Sequence, residues 1–277
     1  MSTPITRDSL RKAVREAAPF QKVPTVTVPV ITMMNDDNMT FRDLANVIEV
    51  DPELSARIMT IANSGFYGFK KKIRTINHAL VLLGWNTVKM IALGSSLLRR
   101  MCLTDRELYN HSMRAAQIAR FLAMEANFYK VEEIAMVTLL HDIGKMILEM
   151  YFPDEYGDAR TYAVDNGVPQ FIAEREILGL DHATVGGWVL EDWMLPENIT
   201  ESVALHHAYD EATYHHRKTA VIHVADCLAH AVNFRGPATE KVPELKEGAL
   251  EPLGFSHTEL RDHLLTIMKM RLDPLIV

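Results

Sequence analysis

Two cysteines in 277 residues, Cys102 and Cys227, allow at most one bridge and exclude a disulfide framework. Long apolar runs are lacking as well. The most apolar stretch, residues 79–98, is broken by Asn86, Thr87, Lys89 and the Ser95-Ser96 pair, so no membrane span is expected. No charged-then-apolar leader opens the chain. An excess of basic charge is missing: 36 acids against 29 bases give a net charge of −7, which argues against nucleic acid as a partner held by charge. Period-two alternation is scarce. Residues 23–30 (VPTVTVPV) form the one strand-like run, and Pro24 and Pro29 interrupt it. No repeat of fixed period is visible. Few cysteines beside fifteen methionines fit a reducing, cytoplasmic location.

What is present reads as helix. Apolar residues make up 48% of the chain, enough for a large core and too many for disorder. Asp51-Pro52-Glu53 sets a cap, a proline at the first helical position and an acid in the first turn. Thr75 caps a run over 76–83, which Gly84 stops. Thr104-x-x-Glu107 reads as a capping box opening a long helix to about residue 127. Further helices are expected over 131–150, 181–193, 196–207, 219–234 and 257–270. Residues 233–248, with two prolines and two glycines, read as a surface loop. The best boundary lies near residues 101–105, dividing a helical recognition half (1–103) from a half suited to metal or catalysis (104–277). Eleven of the twelve histidines lie in the second half.

The string Leu139-Leu140-His141-Asp142-Ile143-Gly144-Lys145 places an imidazole and a carboxylate in an apolar setting, where they demand a partner. His111, His182, the pair His206-His207 and Asp226 accompany them, at gaps that can each accommodate a helix and a return, so that each ligand could reach one pocket from a different helix. Imidazole with carboxylate and no thiolate suits one or two divalent transition metals, Fe, Mn, Ni or Zn. A carboxylate such as Asp142 is able to bridge two metals. Glu107 sits one turn before His111 and offers another oxygen, although the capping box accounts for it without a metal. His206 and His207 point about 100° apart on a helix, so one of them has a structural reading. Lys145 either faces the pocket and holds a phosphate oxygen or caps its helix. His223 reads as a support for the site or as core, His215-His216 as surface, and Cys227 as a buried thiol.

The order His, His-Asp, His, His-His, Asp resembles the HD superfamily of metal-dependent phosphohydrolases, and positions 111, 141, 142, 182, 206, 207 and 226 match the ligand set of its two-metal members. Asp51-Pro52-Glu53-Leu54-Ser55-Ala56-Arg57, then Ala62-Asn63-Ser64-Gly65-Phe66-Tyr67-Gly68, then residues 73–84 (IRTINHALVLLG) resemble the HDOD family, over about residues 18–235. The resemblance implies an all-α fold, with an N-terminal helical subdomain packed on an HD-like helical bundle, and a bacterial signalling context. HDOD modules are often joined to receiver, GGDEF or kinase domains; this sequence leaves no room for one, so a stand-alone module is expected. The Gly-Tyr-Pro signature of related cyclic-di-GMP phosphodiesterases is absent, since Ala208-Tyr209-Asp210-Glu211 follows His206-His207.

Two function classes follow. One is a regulatory module that binds a protein or nucleotide signal, with Phe66, Tyr67 and the basic run Lys70, Lys71, Lys72 and Arg74 as its contact surface; a solvated loop is the plainer reading of that run. The other is a metal-dependent phosphohydrolase acting on a phosphoester or nucleotide. Asp142 and Lys145 would be its catalytic pair, with Lys145 neutralising charge on the phosphoryl group.

Overall fold

The computed structural model describes residues 7–16, 39–64, 67, 69–232 and 241–269, and every regular element among them is helical. Residues 23–30, the strand-like run, lie outside the described residues. In the first half, α1 (Arg7–Glu16), α2 (Phe41–Glu49), α3 (Pro52–Ala62), α4 (Ile76–Leu83) and α5 (Trp85–Thr104) follow in order. The second half holds α6 (Arg106–Glu125), α7 (Val131–Leu139), α8 (Ile143–Tyr151), α9 (Pro153–Asn166), α10 (Gln170–Leu178), α11 (His182–Asp192), α12 (Glu197–Ala204), α13 (His216–Val232) and α14 (His257–Ile267).

Local chemistry accounts for several of the boundaries. Asp51 caps α3 through hydrogen bonds from the Glu53 and Leu54 amides. Thr75 caps α4, and Gly84 ends it at φ +80°, a backbone conformation that favours glycine. Asp181 caps α11 and accepts from the Thr184 amide at 2.9 Å. One expected cap moves. The N-cap of α6 is Asp105, which accepts from the Leu108 amide, so Thr104 and Glu107 form no capping box there. Thr104 still belongs to the last turn of α5, so the break falls at Asp105, whose extended φ of −139° sets it as the cap.

Two expected helices end early. The run 131–150 divides into α7 and α8, joined by a tight turn at Leu140, His141 and Asp142. Leu140 (φ −100°, ψ 2°) and Asp142 (φ −93°, ψ 9°) occupy the sparsely populated bridge region, and i→i−3 bonds such as His141 N–H to Thr138 O carry the chain through. The run 196–207 likewise stops at Ala204, leaving His206 and His207 in a turn. Both breaks come at ligand candidates. In each, an imidazole Nδ1 donates to the carbonyl three residues back: His141 to Thr138 at 2.6 Å and His206 to Val203 at 2.7 Å. Those carbonyls thereby gain partners where the helices end.

One apolar core runs through both halves, from Leu10, Leu44, Ile58 and Leu80 to Leu139, Ile147, Val189 and Val203. A second gathers Ile118, Leu122, Val221, Val224, Leu253 and Leu260 beneath α6, α13 and α14. Among the described residues the first half reaches the second at several places, one of them at Arg120 of α6, which donates to the Tyr67 carbonyl at 2.7 Å. Helix α1 packs on α11, with Arg11 bonded to Glu191 at 2.7 Å and stacked over Trp188. Asn86 of α5 donates to the buried Glu133 of α7 at 2.8 Å, and Lys218 of α13 donates to the other oxygen at 2.8 Å.

Asn63 closes the loop after α3, donating to Met59 O and Ile73 O and accepting from the Ile73 amide. That loop turns Tyr67 fully into the core, so Tyr67 is no contact surface. Phe66 lies outside the described residues, and Lys70, Lys71 and Lys72 are exposed beyond the loop.

Candidate metal centre

Helices α6, α8, α11, α12 and α13 bring His111, His141, Asp142, His182, His206, His207 and Asp226 into one buried cluster. Glycines let the helices approach. A Cβ on Gly144 would stand 2.0 Å from the His182 carbonyl oxygen, and one on Gly187 would stand 2.7 Å from Ala204 Cβ. Residues with side chains at these positions would push α8 from α11, and α11 from α12, separating Asp142, His182 and the 206–207 pair.

Asp142 organises the cluster. Its Oδ1 faces His182 Nε2 at 3.0 Å and His206 Nε2 at 4.0 Å. Its Oδ2 faces His141 Nε2 at 3.4 Å, His111 Nε2 at 3.5 Å and Lys145 Nζ at 2.9 Å. The two oxygens of one carboxylate therefore address two different histidine groups. Asp226 Oδ1 joins the second group, 3.0 Å from His111 Nε2 and 3.5 Å from His141 Nε2. His207 completes the first, its Nε2 3.0 Å from His182 Nε2.

Hydrogen bonding sets the tautomers. His141 and His206 donate through Nδ1 to carbonyls, which directs each Nε2 inward. His182 Nδ1 meets Glu174 Oε2 at 2.7 Å, and that same oxygen accepts from the His182 amide. Glu174 is fully buried on α10, and its neighbour Phe171 stacks on His207 at 4.1 Å. His223 donates from Nδ1 to the His206 carbonyl at 2.9 Å, fixing the turn that carries both histidines. Carboxylate–imidazole contacts of this kind orient metal ligands and raise their basicity.

The donors fit a bound cation. Buried atoms without a hydrogen-bond partner include His141 Nε2, His206 Nε2, His207 Nδ1 and Asp226 Oδ2, all in this one cluster. Buried acceptors facing one another are costly unless a cation lies between them. The electrostatics agree. Burial opposes ionisation of Asp142 and Asp226. His141 and Lys145 around the former, and His230 and His111 around the latter, nonetheless hold both well below the usual carboxylate range. Burial also opposes the His182 imidazolium, but Glu174 and then Asp142 lift it to about 10. His206 is pushed down to about 3 by burial and by positive His141 and His182, and His207 falls for the same kinds of reason. The ionised carboxylates and neutral His206 and His207 are in the forms that ligate metals, whereas a cation bound here would displace protons from His141 and His182.

Other candidates lie elsewhere. Glu107 is exposed and belongs to none of the candidate metal groups among the described residues. Lys145 is in the site, bonded to Asp142. His215 and His216 are half-buried instead of exposed, because His216 opens α13 and packs on Tyr209. Cys227 is buried, and burial followed by Asp226 pushes its thiol well up. Two residues at the site carried no clear mark in the sequence. His230 sits one turn after Asp226, and that i,i+4 spacing was a usable signal. Glu174 has no comparable motif around it.

Comparison with known proteins places these features in a family. The model of the HDOD domain matches residues 20–209. A protein of uncharacterized function from Treponema pallidum is 19% identical over 190 residues, covering 67% of this chain and 37% of its own length. The chain spans about a third of the length of the curated relatives it matches. Two crystal structures share the fold. A candidate signal transduction protein from Marinobacter aquaeolei superposes with a TM-score of 0.70 at 19% identity, over 95% of this chain and 62% of that one. A candidate phosphohydrolase from Shewanella amazonensis superposes with a TM-score of 0.61 at 21% identity, over 91% and 97%.

Proposed function

The chain belongs to the HDOD domain family, and we propose that it serves as a bacterial regulatory module built around a two-metal centre. One observation carries the reading: the two oxygens of Asp142 face separate histidine groups, the arrangement of a bridging carboxylate. His182, His206 and His207 would hold one metal and His111, His141 and Asp226 the other. The contact of α1 with α11 supports regulation, because α11 begins at His182 and so joins the first half to a ligand. Metal occupancy then becomes a signal that reaches the first half, where a protein or nucleotide partner binds. Hydrogen exchange of the full chain, stripped and loaded with Mn²⁺, tests this. Loading is expected to slow exchange in both α1 and α11. Slowing confined to the ligand helices would contradict a regulatory link.

A second reading is hydrolysis of a phosphoester or nucleotide at the same centre, and Lys145 favours it. Its ammonium lies 2.9 Å from Asp142 Oδ2 with the side chain 10% exposed, close enough to the centre to meet a phosphoryl oxygen. Bound divalent metals polarise phosphoryl oxygens and lower the pKa of water. The chain's own part is to position a substrate oxygen against Lys145, to neutralise charge there and to exclude bulk water with buried walls. Turnover of a phosphoester panel with Mn²⁺, Fe²⁺, Ni²⁺ or Zn²⁺, abolished by Asp142→Ala and reduced by Lys145→Met, is the expected result. Turnover untouched by Asp142→Ala would refute it.

A further inference from the structure

His230 lies outside the ligand set considered so far, and its place in the fold gives it a specific task. It sits on α13 one helical turn after Asp226, so both side chains leave the same face. Its Nε2 is 3.4 Å from Asp226 Oδ1, and its ring packs on His111 at 4.2 Å between centroids. Asp226 Oδ1 is also 3.0 Å from His111 Nε2. Ligand atoms of His111, Asp226 and His230 all lie within 4.8 Å of one another. We infer that His230 is a metal ligand that completes, with His111 and Asp226, the second of the two metal positions.

The distances favour ligation over a simple ion pair. A charge-assisted N–H to carboxylate bond spans about 2.7–2.9 Å. Two neighbouring donors on one ion, each about 2.1 Å from it, stand about 3.0–3.6 Å apart for angles of about 90–120°. The spacing from His230 to Asp226 falls within the second range. The donor balance points the same way. His182, His206 and His207 give the first position three imidazoles in addition to Asp142 Oδ1. The second position shares Asp142 Oδ2 with Lys145, whose Nζ is 2.9 Å from that oxygen. A further imidazole offsets that divided oxygen. His230 is also the most open of these groups, its side chain 14% exposed against 8% for His111 and 0% for His141. It therefore marks the solvent side of the centre.

This inference rests on the two-metal reading proposed above, and Co²⁺ titration separates the two. Metal-stripped full-length chain is titrated with Co²⁺ and followed by absorbance and by elemental analysis after dialysis. The wild type is expected to take two ions per chain. His230→Ala is expected to keep one and to bind the other at least tenfold more weakly, while His207→Ala weakens the opposite one. Two ions retained by His230→Ala with unchanged affinity would overturn the role of His230 and leave the two-metal centre standing. No binding by the wild type would overturn the centre itself and this role with it. Nitrogen NMR of the wild type removes dependence on a folded variant. Saturating Zn²⁺ should move His230 Nε2 along with His111 Nε2. Movement of His111 without His230 would overturn the assignment.

Discussion

Replacing Glu174 by Gln tests whether a residue that touches no metal governs the centre. Glu174 Oε2 accepts from His182 Nδ1 and from the His182 amide, both at 2.7 Å, and the carboxylate is fully buried. Glutamine keeps the shape and one acceptor oxygen but removes the charge that makes His182 a strong ligand. Loss of such an orienting partner costs about 10–100-fold in metal affinity, or about 1.4–2.7 kcal/mol. The consequence for stability follows from linkage. At a metal concentration 100 times Kd, binding stabilises the fold by about 2.7 kcal/mol. A 100-fold weaker Kd at the same concentration leaves about 0.4 kcal/mol. Competition with a chelator gives the affinity directly, and urea unfolding with and without Mn²⁺ gives the linked stability. The expected pattern is a weaker Kd together with a collapsed metal-dependent stabilisation. A Kd within twofold of wild type would refute the reasoning, since His182 would then be positioned without Glu174.

Three further expectations follow from packing and charge. Gly144→Ala forces a Cβ to within 2.0 Å of the His182 carbonyl, so stability should fall by about 3 kcal/mol and metal occupancy with it; an unchanged urea midpoint contradicts the close approach. Asn63→Ala removes three hydrogen bonds that close the loop after α3, a loss of about 2–3 kcal/mol in urea unfolding; a loss below about 0.5 kcal/mol would make the loop self-supporting. Glu133→Gln leaves Lys218 half-satisfied and should cost about 3 kcal/mol at neutral pH. Burial opposes the Glu133 charge, but Lys218 and Asn86 hold its pKa below the ordinary 4.5. A depressed carboxylate adds stability above its unfolded pKa and loses it as pH falls through the folded value. The gap between variant and wild type should therefore narrow below about pH 4.5; a constant gap down to pH 3 would contradict the ion pair.

The all-helical class was legible because the caps are local. Asp51, Thr75, Gly84 and Asp181 each act through a hydrogen bond or a backbone angle of their own turn. The breaks at 140–142 and 205–207 were not. Their surroundings are as apolar as a helix interior, and what stops each helix is a bond from an imidazole Nδ1 to a carbonyl three residues back. Such a bond becomes favourable only when Nε2 has a place in the cluster, and tertiary structure decides that. The candidate ligands could be named because histidine and aspartate stand out in apolar runs. Glu174 did not stand out: it lies beside the charged Arg175 and Glu176 with no motif to mark it, although α10 turns it inward. Glu107 misled for the opposite reason. Its spacing from His111 was right for a shared face, yet the start of α6 leaves it in solvent.

No helix among the described residues is long and apolar enough to cross a membrane. The most direct test of the account is the metal content of the purified full chain, reconstituted with Mn²⁺ and dialysed, beside its Asp142→Ala variant. The account predicts about two ions per chain in the wild type, and loss of both positions' tight binding in the variant, because one carboxylate faces both histidine groups. Equal metal content in the two proteins, or none in the wild type, would contradict it.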